Sequence, residues 1–143
     1  MYTEEEQRQQ IYGLINDSAF MRYLDMEFIE LNREKAVARM KLDSRFVNGY
    51  GTMHGGCLYS LADTVAGSLA NMSGNMCTTV DGYLNYFEPA INTQYVYCEA
   101  NLVRAGRNLI NVDVKVTNDD GKLLDAGVFN YFRMRGDIST SSK

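Results

Sequence analysis

The sequence predicts an α+β domain in which an antiparallel sheet wraps around one long central helix. Three observations lead to this prediction. From His54 to about Met72, apolar residues recur with a period of 3.6, as on one face of a buried helix. Two strand-like segments precede this helix and four follow it. The connections between neighbouring segments are short, as in antiparallel hairpins.

A single domain is expected over residues 1–143, since a chain of this length is near the usual domain size. Its first element, within residues 1–18, has the pattern of a peripheral amphipathic helix. Thr3 can serve as the N-cap, with Glu6 as its capping-box partner. The apolar edge of this helix comprises Ile11, Leu14 and Ile15.

Six segments have strand-like patterns, and they lie near residues 26–32, 35–42, 78–88, 94–104, 108–117 and 122–134. The first two are joined by the short connection LNREK. The turns RAGRN and NDDGK separate the last three, and Asp120-Gly121 is a favoured hairpin pair. The polar run from about residue 136 to 143, GDISTSSK, predicts a frayed tail.

The central helix has two distinct sides. Its apolar arc comprises Leu58, Leu61, Ala62, Val65, Ala66, Leu69 and Ala70. Its other side carries Ser60, Thr64, Gly67, Ser68 and Asn71. We therefore expect the sheet to cover the first side of the helix.

The composition argues against several classes of partner. A formal net charge of −4 and a pI near 4.9 leave no basic surface for nucleic acid. No apolar run reaches the length of a membrane span, and the start MYTEEEQRQQ differs from a signal peptide. We expect a cytoplasmic protein that binds neither nucleic acid nor membrane.

The cysteines and the single histidine predict neither disulfides nor a metal site. Cys57, Cys77 and Cys98 are odd in number and lack the CxxC spacing, which favours reduced thiols. Nitrogen ligands for a transition metal would have to come from His54 alone. We expect no metal.

The chemistry concentrates in VNGYGTMHGGCLYSLAD, residues 47–63. The first turn of a helix has N–H groups without intrahelical partners, and the helix dipole adds positive potential there. Glycines at positions 55 and 56 leave room for a ligand, so a carbonyl oxygen could bind the N–H of Gly55 or Gly56 as in an oxyanion hole. The simpler interpretation is that the glycines only let the chain turn into the helix.

Asp63 is the one acid on the central helix, nine residues after His54. At about 1.5 Å per residue it lies about 13 Å along the axis from His54, too far to serve the N-terminus of its own helix. If two protomers set their central helices antiparallel, Asp63 of one chain can approach the Gly55 end of the other. Two shared sites per homodimer would then follow from the symmetry.

The element order, Asn48, His54-Gly55-Gly56 and Asp63 together resemble the hotdog-fold acyl-CoA thioesterases of the PaaI-like (4-hydroxybenzoyl-CoA thioesterase II) group, over about residues 20–134. The resemblance implies a hotdog fold, a homodimer with shared sites that pairs into a tetramer, and hydrolysis of acyl-CoA. It implies that His54 mainly fixes the loop before the helix. The implied reaction requires no cofactor, since coenzyme A is part of the substrate.

The resemblance also assigns candidate roles to residues outside the HGG motif. Asn48 would donate its amide to the thioester or orient the water, although loop asparagines often only form turns. Thr79, or Thr78 if the register slips by one, would hold the attacking water. Arg104 and Arg107 flank the turn at Gly106, where basic residues could meet the phosphates of coenzyme A.

The leading hypothesis is therefore hydrolysis of acyl-CoA or aryl-CoA thioesters by water that Asp63 activates. Direct attack by the Asp63 carboxylate, forming an anhydride, is the alternative chemistry. An acyl-CoA-binding hotdog module without catalysis is the alternative function. The chain carries no DNA-binding helix pair that would accompany a regulator, and the presence of both Asn48 and Asp63 favours chemistry.

Overall fold

A computed structural model describes residues 2–137 of the chain. The helices are α1 (Glu4–Asn16), α2 (Ala19–Leu24) and α3 (Gly55–Asn71), with one turn of 3₁₀ helix at Ser44–Phe46. The strands are β1 (Glu27–Leu31), β2 (Lys35–Lys41), β3 (Asn75–Tyr86), β4 (Tyr95–Ala105), β5 (Leu109–Thr117) and β6 (Leu123–Asp137). They form one antiparallel sheet in the order β1-β2-β4-β5-β6-β3.

The N-terminal region contains the predicted helix and a second one that the sequence did not predict. The capping box between Thr3 and Glu6 is present in α1, and Ile11 is buried. Leu14 was wrongly placed on the apolar edge, because its side chain is 40% exposed. The six residues of α2 are too few for a periodic pattern; Ser18 caps the helix through its side chain, which accepts the N–H of Met21.

The central helix α3 packs against the concave face of the sheet as predicted. Every residue of the predicted apolar arc is buried. Ser68, expected on the other side, is only 5% exposed. Its burial is compatible with a polar side chain because the hydroxyl donates to the Thr64 carbonyl at 2.7 Å. No helix within residues 2–137 is long and apolar enough to cross a membrane.

The strands alternate between the face toward α3 and the outer face. On β5 the predicted inner set is fully buried and comprises Ile110, Val112, Val114 and Val116. Across the β5–β6 pairing, Val112 is opposite Phe129 and Ile110 is opposite Tyr131. This register places Phe129 and Tyr131 against the helix, since alternate residues of a strand share one face.

The strand boundaries differ from the predicted ones by a few residues. β3 begins at Asn75 rather than near 78, because the chain passes from α3 into the sheet through a short turn. β6 extends to Asp137 by pairing with Asn75, so residues 136 and 137 belong to a strand rather than to the predicted tail. The rest of that tail, residues 138–143, lies outside the described residues.

Position 127 in β6 must be a glycine, because the backbone of the neighbouring strand lies very close to it. A Cβ atom at Gly127 would overlap the carbonyl oxygen of Tyr83, a residue of the neighbouring strand β3. Gly127 pairs with Leu84 in the same ladder. The sheet can therefore pair β3 with β6 at this point only when residue 127 has no side chain.

Gly127→Ala should destabilise the protein by about 3 kcal/mol, because the added methyl displaces backbone rather than a flexible side chain. Gly13→Ala is the matched control: Gly13 lies exposed in α1, and a Cβ there meets nothing within 4 Å. That variant should gain about 0.5 to 1 kcal/mol from helix propensity. Urea unfolding of both variants measures the difference, and equal midpoints would contradict the packing argument.

Candidate functional site

The N-terminus of α3 is capped by its own histidine. The Nδ1 atom of His54 accepts the N–H of Gly56 at 2.9 Å, so the neutral ring carries its proton on Nε2. The carbonyl of His54 accepts the N–H groups of Cys57 and Leu58. His54 thus holds the loop before the helix, and it satisfies three of the four N–H groups of the first turn.

The fourth N–H group, that of Gly55, has no acceptor within residues 2–137. The two motif glycines therefore differ. Gly56 has its N–H engaged, and a Cβ there would lie 3.1 Å from the imidazole Nδ1. Gly55 alone keeps a free N–H at the positive end of the helix, which is the geometry that binds a carbonyl oxygen or an oxyanion.

A pocket of about 300 Å³ lies beside the Gly55 backbone. Asn48, Gly55, Leu58 and the segment 86–90 contribute to its walls. The hydroxyl of Tyr86 donates to the Gly55 carbonyl at 2.7 Å and holds this first residue of the helix in place. The size of the pocket falls in the range of small-molecule sites in proteins.

Asn48 lies in this pocket and also organises its own loop. Its side-chain oxygen accepts the N–H groups of Tyr50 and Thr52, and its Nδ2 donates to the Thr52 hydroxyl at 2.9 Å. These bonds are the turn-forming role that asparagine often has. The amide has two N–H bonds, and the second one has no acceptor among the residues that the structure describes.

The carboxylate of Asp63 accepts two hydroxyl groups from the sheet. Thr79 on β3 donates to Oδ1 at 3.1 Å, and Tyr131 on β6 donates to the same oxygen at 2.9 Å. Sequence reasoning missed Tyr131. Its only signal was its place on the inner side of the last strand, two positions after Phe129.

The register of β3 distinguishes Thr79 from Thr78. Thr79 is opposite Tyr131, whose side chain is buried against α3, whereas Thr78 is opposite Phe132 on the outer face. A bulge between Thr79 and Asp81 follows at once. The hydroxyl beside Asp63 is therefore that of Thr79.

Within one chain the structure does not bring all the candidate residues together. Asp63 lies eight residues after Gly55 in the same helix, or about 12 Å along the axis. Arg104 on β4 and Arg107 in the β4–β5 turn are exposed, and neither lines the Gly55 pocket. The candidate residues thus form two separate groups in one chain, one at Asn48 and Gly55 and one at Asp63 and Thr79.

The cysteine beside the Gly55 end is not a candidate nucleophile. Burial raises the pKa of the Cys57 thiol to about 11, so the thiol stays protonated near neutral pH. The three cysteines are free thiols, as the sequence predicts. Within residues 2–137 no group of three His, Cys, Asp or Glu side chains could hold a metal ion.

A second carboxyl group, that of Asp125, lies opposite Tyr86, the residue that bonds the Gly55 carbonyl. Asp125 on β6 is fully buried, and neither of its oxygens has a hydrogen-bond partner among the described residues. Its neighbours across the sheet are Tyr86 and Val116. Burial raises the pKa of Asp125 from the ordinary value of 3.8 to about 7, which favours the neutral acid.

Residues 50–124 match the family model of the thioesterase superfamily, which is more than half of the chain. This chain belongs to that superfamily. The acyl-coenzyme A thioesterase PaaI of Escherichia coli is 23% identical over 114 residues, covering 80% of this chain and 81% of that protein. Acyl-coenzyme A thioesterase 13 of mouse is 29% identical over 97 residues, covering 66% of this chain and 69% of that protein.

Solved structures show the same fold. The structure of the E. coli PaaI protein superposes with a TM-score of 0.88 at 20% identity, over 95% of this chain and 99% of that one. A Streptococcus mutans protein bound to acetyl-CoA gives a TM-score of 0.75 at 22% identity, over 79% and 90% of the two chains. The predicted hotdog fold, the PaaI-like resemblance and the assignment as a thioesterase are confirmed.

The buried acid of this thioesterase predicts a pH-dependent stability. The unfolded chain releases the Asp125 proton near pH 4, whereas the native state keeps it until about pH 7. The contribution of Asp125 therefore lowers the free energy of unfolding as pH rises through this window. Asp125→Asn should remove that loss. Between pH 4 and pH 8 its free energy of unfolding should rise relative to that of the wild type by up to about 4 kcal/mol.

Urea unfolding at several pH values measures this gain. Asp113→Asn is the control, since Asp113 is exposed on the outer side of β5 and its removal should leave the pH dependence unchanged. A difference between Asp125→Asn and wild type that stays constant from pH 4 to pH 8 would show that Asp125 is ionised in the native state.

Proposed function

We propose that this thioesterase hydrolyses acyl-CoA or aryl-CoA thioesters to the free acid and coenzyme A. The observation that carries the proposal is that one helix has both a free N–H at its first residue, Gly55, and a carboxylate, that of Asp63, held by two hydroxyls. The names of the PaaI and thioesterase 13 relatives, and the acetyl-CoA bound to the S. mutans protein, support the choice of thioester.

The proposed reaction uses water as the nucleophile. The thioester carbonyl oxygen accepts the Gly55 N–H, which stabilises the negative charge that develops when water attacks the carbonyl carbon. Asp63 takes the proton from that water as the new C–O bond forms. The C–S bond then breaks, and the proton passes to the departing thiolate. Attack by the Asp63 carboxylate itself, followed by hydrolysis of the anhydride, is the alternative order of steps.

Other predicted residues have supporting roles in the proposal. Asn48 uses its second N–H to orient the thioester or the water beside Gly55. Thr79 acts with Asp63 in positioning the attacking water. His54 and Gly56 shape the substrate-binding loop through the N-cap. Arg104 and Arg107, both exposed at the sheet end, meet the phosphates of coenzyme A.

The complete site is proposed to form between two chains. Gly55 and Asp63 of one chain lie about 12 Å apart along a single helix, which is too far for both to contact one carbonyl group. An antiparallel arrangement of two α3 helices brings Asp63 of one protomer to the Gly55 end of the other. Each homodimer then has two shared sites, and the resemblance to the PaaI-like group favours a dimer of dimers.

The proposal also covers cofactors, location and partners. No cofactor or metal is required, because coenzyme A arrives as part of the substrate. The acidic composition, with a net charge of −4, argues against a nucleic-acid partner. The proposed location is the cytoplasm, without a membrane partner.

A panel of phenylacetyl-, benzoyl-, butyryl- and octanoyl-CoA tests the activity, with release of free thiol as the measurement. The wild type should hydrolyse at least one member. Asp63→Asn should lose roughly 100-fold or more in kcat, the size expected for a general base. Asp113→Asn on the outer face of β5 is the matched control and should retain activity. Binding of acyl-CoA without hydrolysis of any member would support the non-catalytic module instead.

Mixing two variants that are each inactive alone tests the shared site. Gly55→Ala keeps the backbone N–H, but its Cβ would lie 3.4 Å from the Tyr86 ring in the pocket and is expected to block the approach of the thioester carbonyl. In a heterodimer of Gly55→Ala and Asp63→Asn chains, one site combines an intact Gly55 with an intact Asp63, and the other site lacks both. Unfolding and refolding an equal mixture should therefore restore about a quarter of the wild-type activity, given random pairing of the chains. The double variant mixed with wild type is the control. Its heterodimers have no intact site, so the wild-type homodimers alone leave about a quarter of the wild-type activity, whereas sites within single chains would leave about half. A mixture that stays inactive would place both residues in one protomer's site.

A further inference from the structure

We infer that Tyr131 is a positioning residue that fixes Oδ1 of Asp63 and leaves Oδ2 as the one oxygen that can take a proton from water. The inference rests on the proposed function and concerns the same site. It assigns a role to a residue that no sequence motif marks.

The two hydroxyl contacts of Asp63 converge on a single oxygen. Tyr131 donates to Oδ1 at 2.9 Å, and Thr79 donates to the same atom at 3.1 Å. The Tyr131 oxygen also lies 2.9 Å from the backbone carbonyl of Asp63, so the single hydroxyl proton is shared between that carbonyl and Oδ1. Within residues 2–137 no donor contacts Oδ2.

Tyr131 holds its position much more firmly than Thr79. Its side chain is 2% exposed, whereas Thr79 is exposed at the edge strand of the sheet. The ring lies against Gly67, where a Cβ would be 3.4 Å from its Cε1 atom. A buried aromatic ring on a paired strand has little rotational freedom, so its hydroxyl is a fixed point for the carboxylate.

The Tyr131 hydroxyl stays a donor at any working pH. Burial, and next the carboxylate of Asp63, raise the pKa of Tyr131 well above its ordinary value. The other titratable groups that influence this hydroxyl are Tyr59 on α3 and Cys98 on β4. Burial also raises the pKa of the Cys98 thiol, so neither thiol nor phenol adds a negative charge near Asp63 at neutral pH.

Two donors on one oxygen restrict the carboxylate. They prevent it from rotating, so Oδ2 keeps one direction toward the attacking water. Removing the Tyr131 hydroxyl should therefore lower the rate of the chemical step, with little effect on substrate affinity.

Tyr131→Phe tests this role. The variant should lose about 10-fold or more in kcat with KM within about twofold of wild type, because the lost interaction acts on the base and not on the substrate. Tyr59→Phe is the matched control, since its hydroxyl donates to the Gly82 carbonyl at 3.0 Å and does not contact Asp63. It should leave kcat and KM within about twofold of wild type.

A double-variant cycle separates positioning from general structural support. In an Asp63→Asn background, Tyr131→Phe should cause no further loss of kcat, because the group through which it acts is absent. A further loss of 10-fold in that background would show a structural role and overturn the inference. Thermal unfolding of each variant establishes that the compared proteins are folded.

Replacement of Tyr131 by 4-fluorophenylalanine keeps the test available if the phenylalanine variant does not fold. The fluorine fills nearly the volume of the hydroxyl and donates no hydrogen bond, so kcat should still fall about 10-fold or more with KM within about twofold of wild type. An unchanged kcat would overturn the inference. If Asp63→Asn is inactive while the Tyr131 variants match wild type in kcat, only this inference fails; if Asp63→Asn remains active, the proposed function of Asp63 fails first.

Discussion

The packing of α3 into the concave face of the sheet is the constraint on which the other features of the molecule depend. Burial of the apolar arc, from Leu58 to Ala70, fixes the rotation of the helix about its axis. That rotation turns Asp63 toward Thr79 and Tyr131 at the margin of the core. It also anchors the first turn, where Tyr86 holds the carbonyl of Gly55. Non-directional hydrophobic packing thus fixes the orientation of two polar groups, the Asp63 carboxylate and the Gly55 backbone.

The helix N-terminus shows how one histidine can select between neighbouring donors. His54 engages the N–H of Gly56 through its ring and the next two through its carbonyl. The satisfied donors stabilise the helix, and the N–H of Gly55 is left without an acceptor among the described residues. The same side chain explains the second glycine, because a Cβ at position 56 would press on the imidazole. Adjacent residues of one turn therefore differ in whether their N–H groups are available to a ligand.

Two carboxyl groups have opposite environments. Asp63 accepts two hydroxyls on one oxygen. Asp125 is fully buried without a hydrogen-bond partner among the described residues, and burial raises its pKa to about 7. An acid that costs stability when ionised is tolerated in the core because it can stay neutral there. The contrast shows that hydrogen-bond donors, rather than proximity to the core alone, distinguish the surroundings of the two acids.

The sequence alone determined the architecture, since periods of 3.6 and 2 report which residues a helix or strand must bury. It also determined that the helix begins at the HGG turn and that Asp63 lies on it, because these features depend on neighbours along the chain. Tertiary structure decided what depends on pairing across strands. The register of β3 with β6 placed Thr79 rather than Thr78 beside Asp63 and added Tyr131. A slip of one residue reverses every side chain on a strand, and local sequence carries no signal of that register.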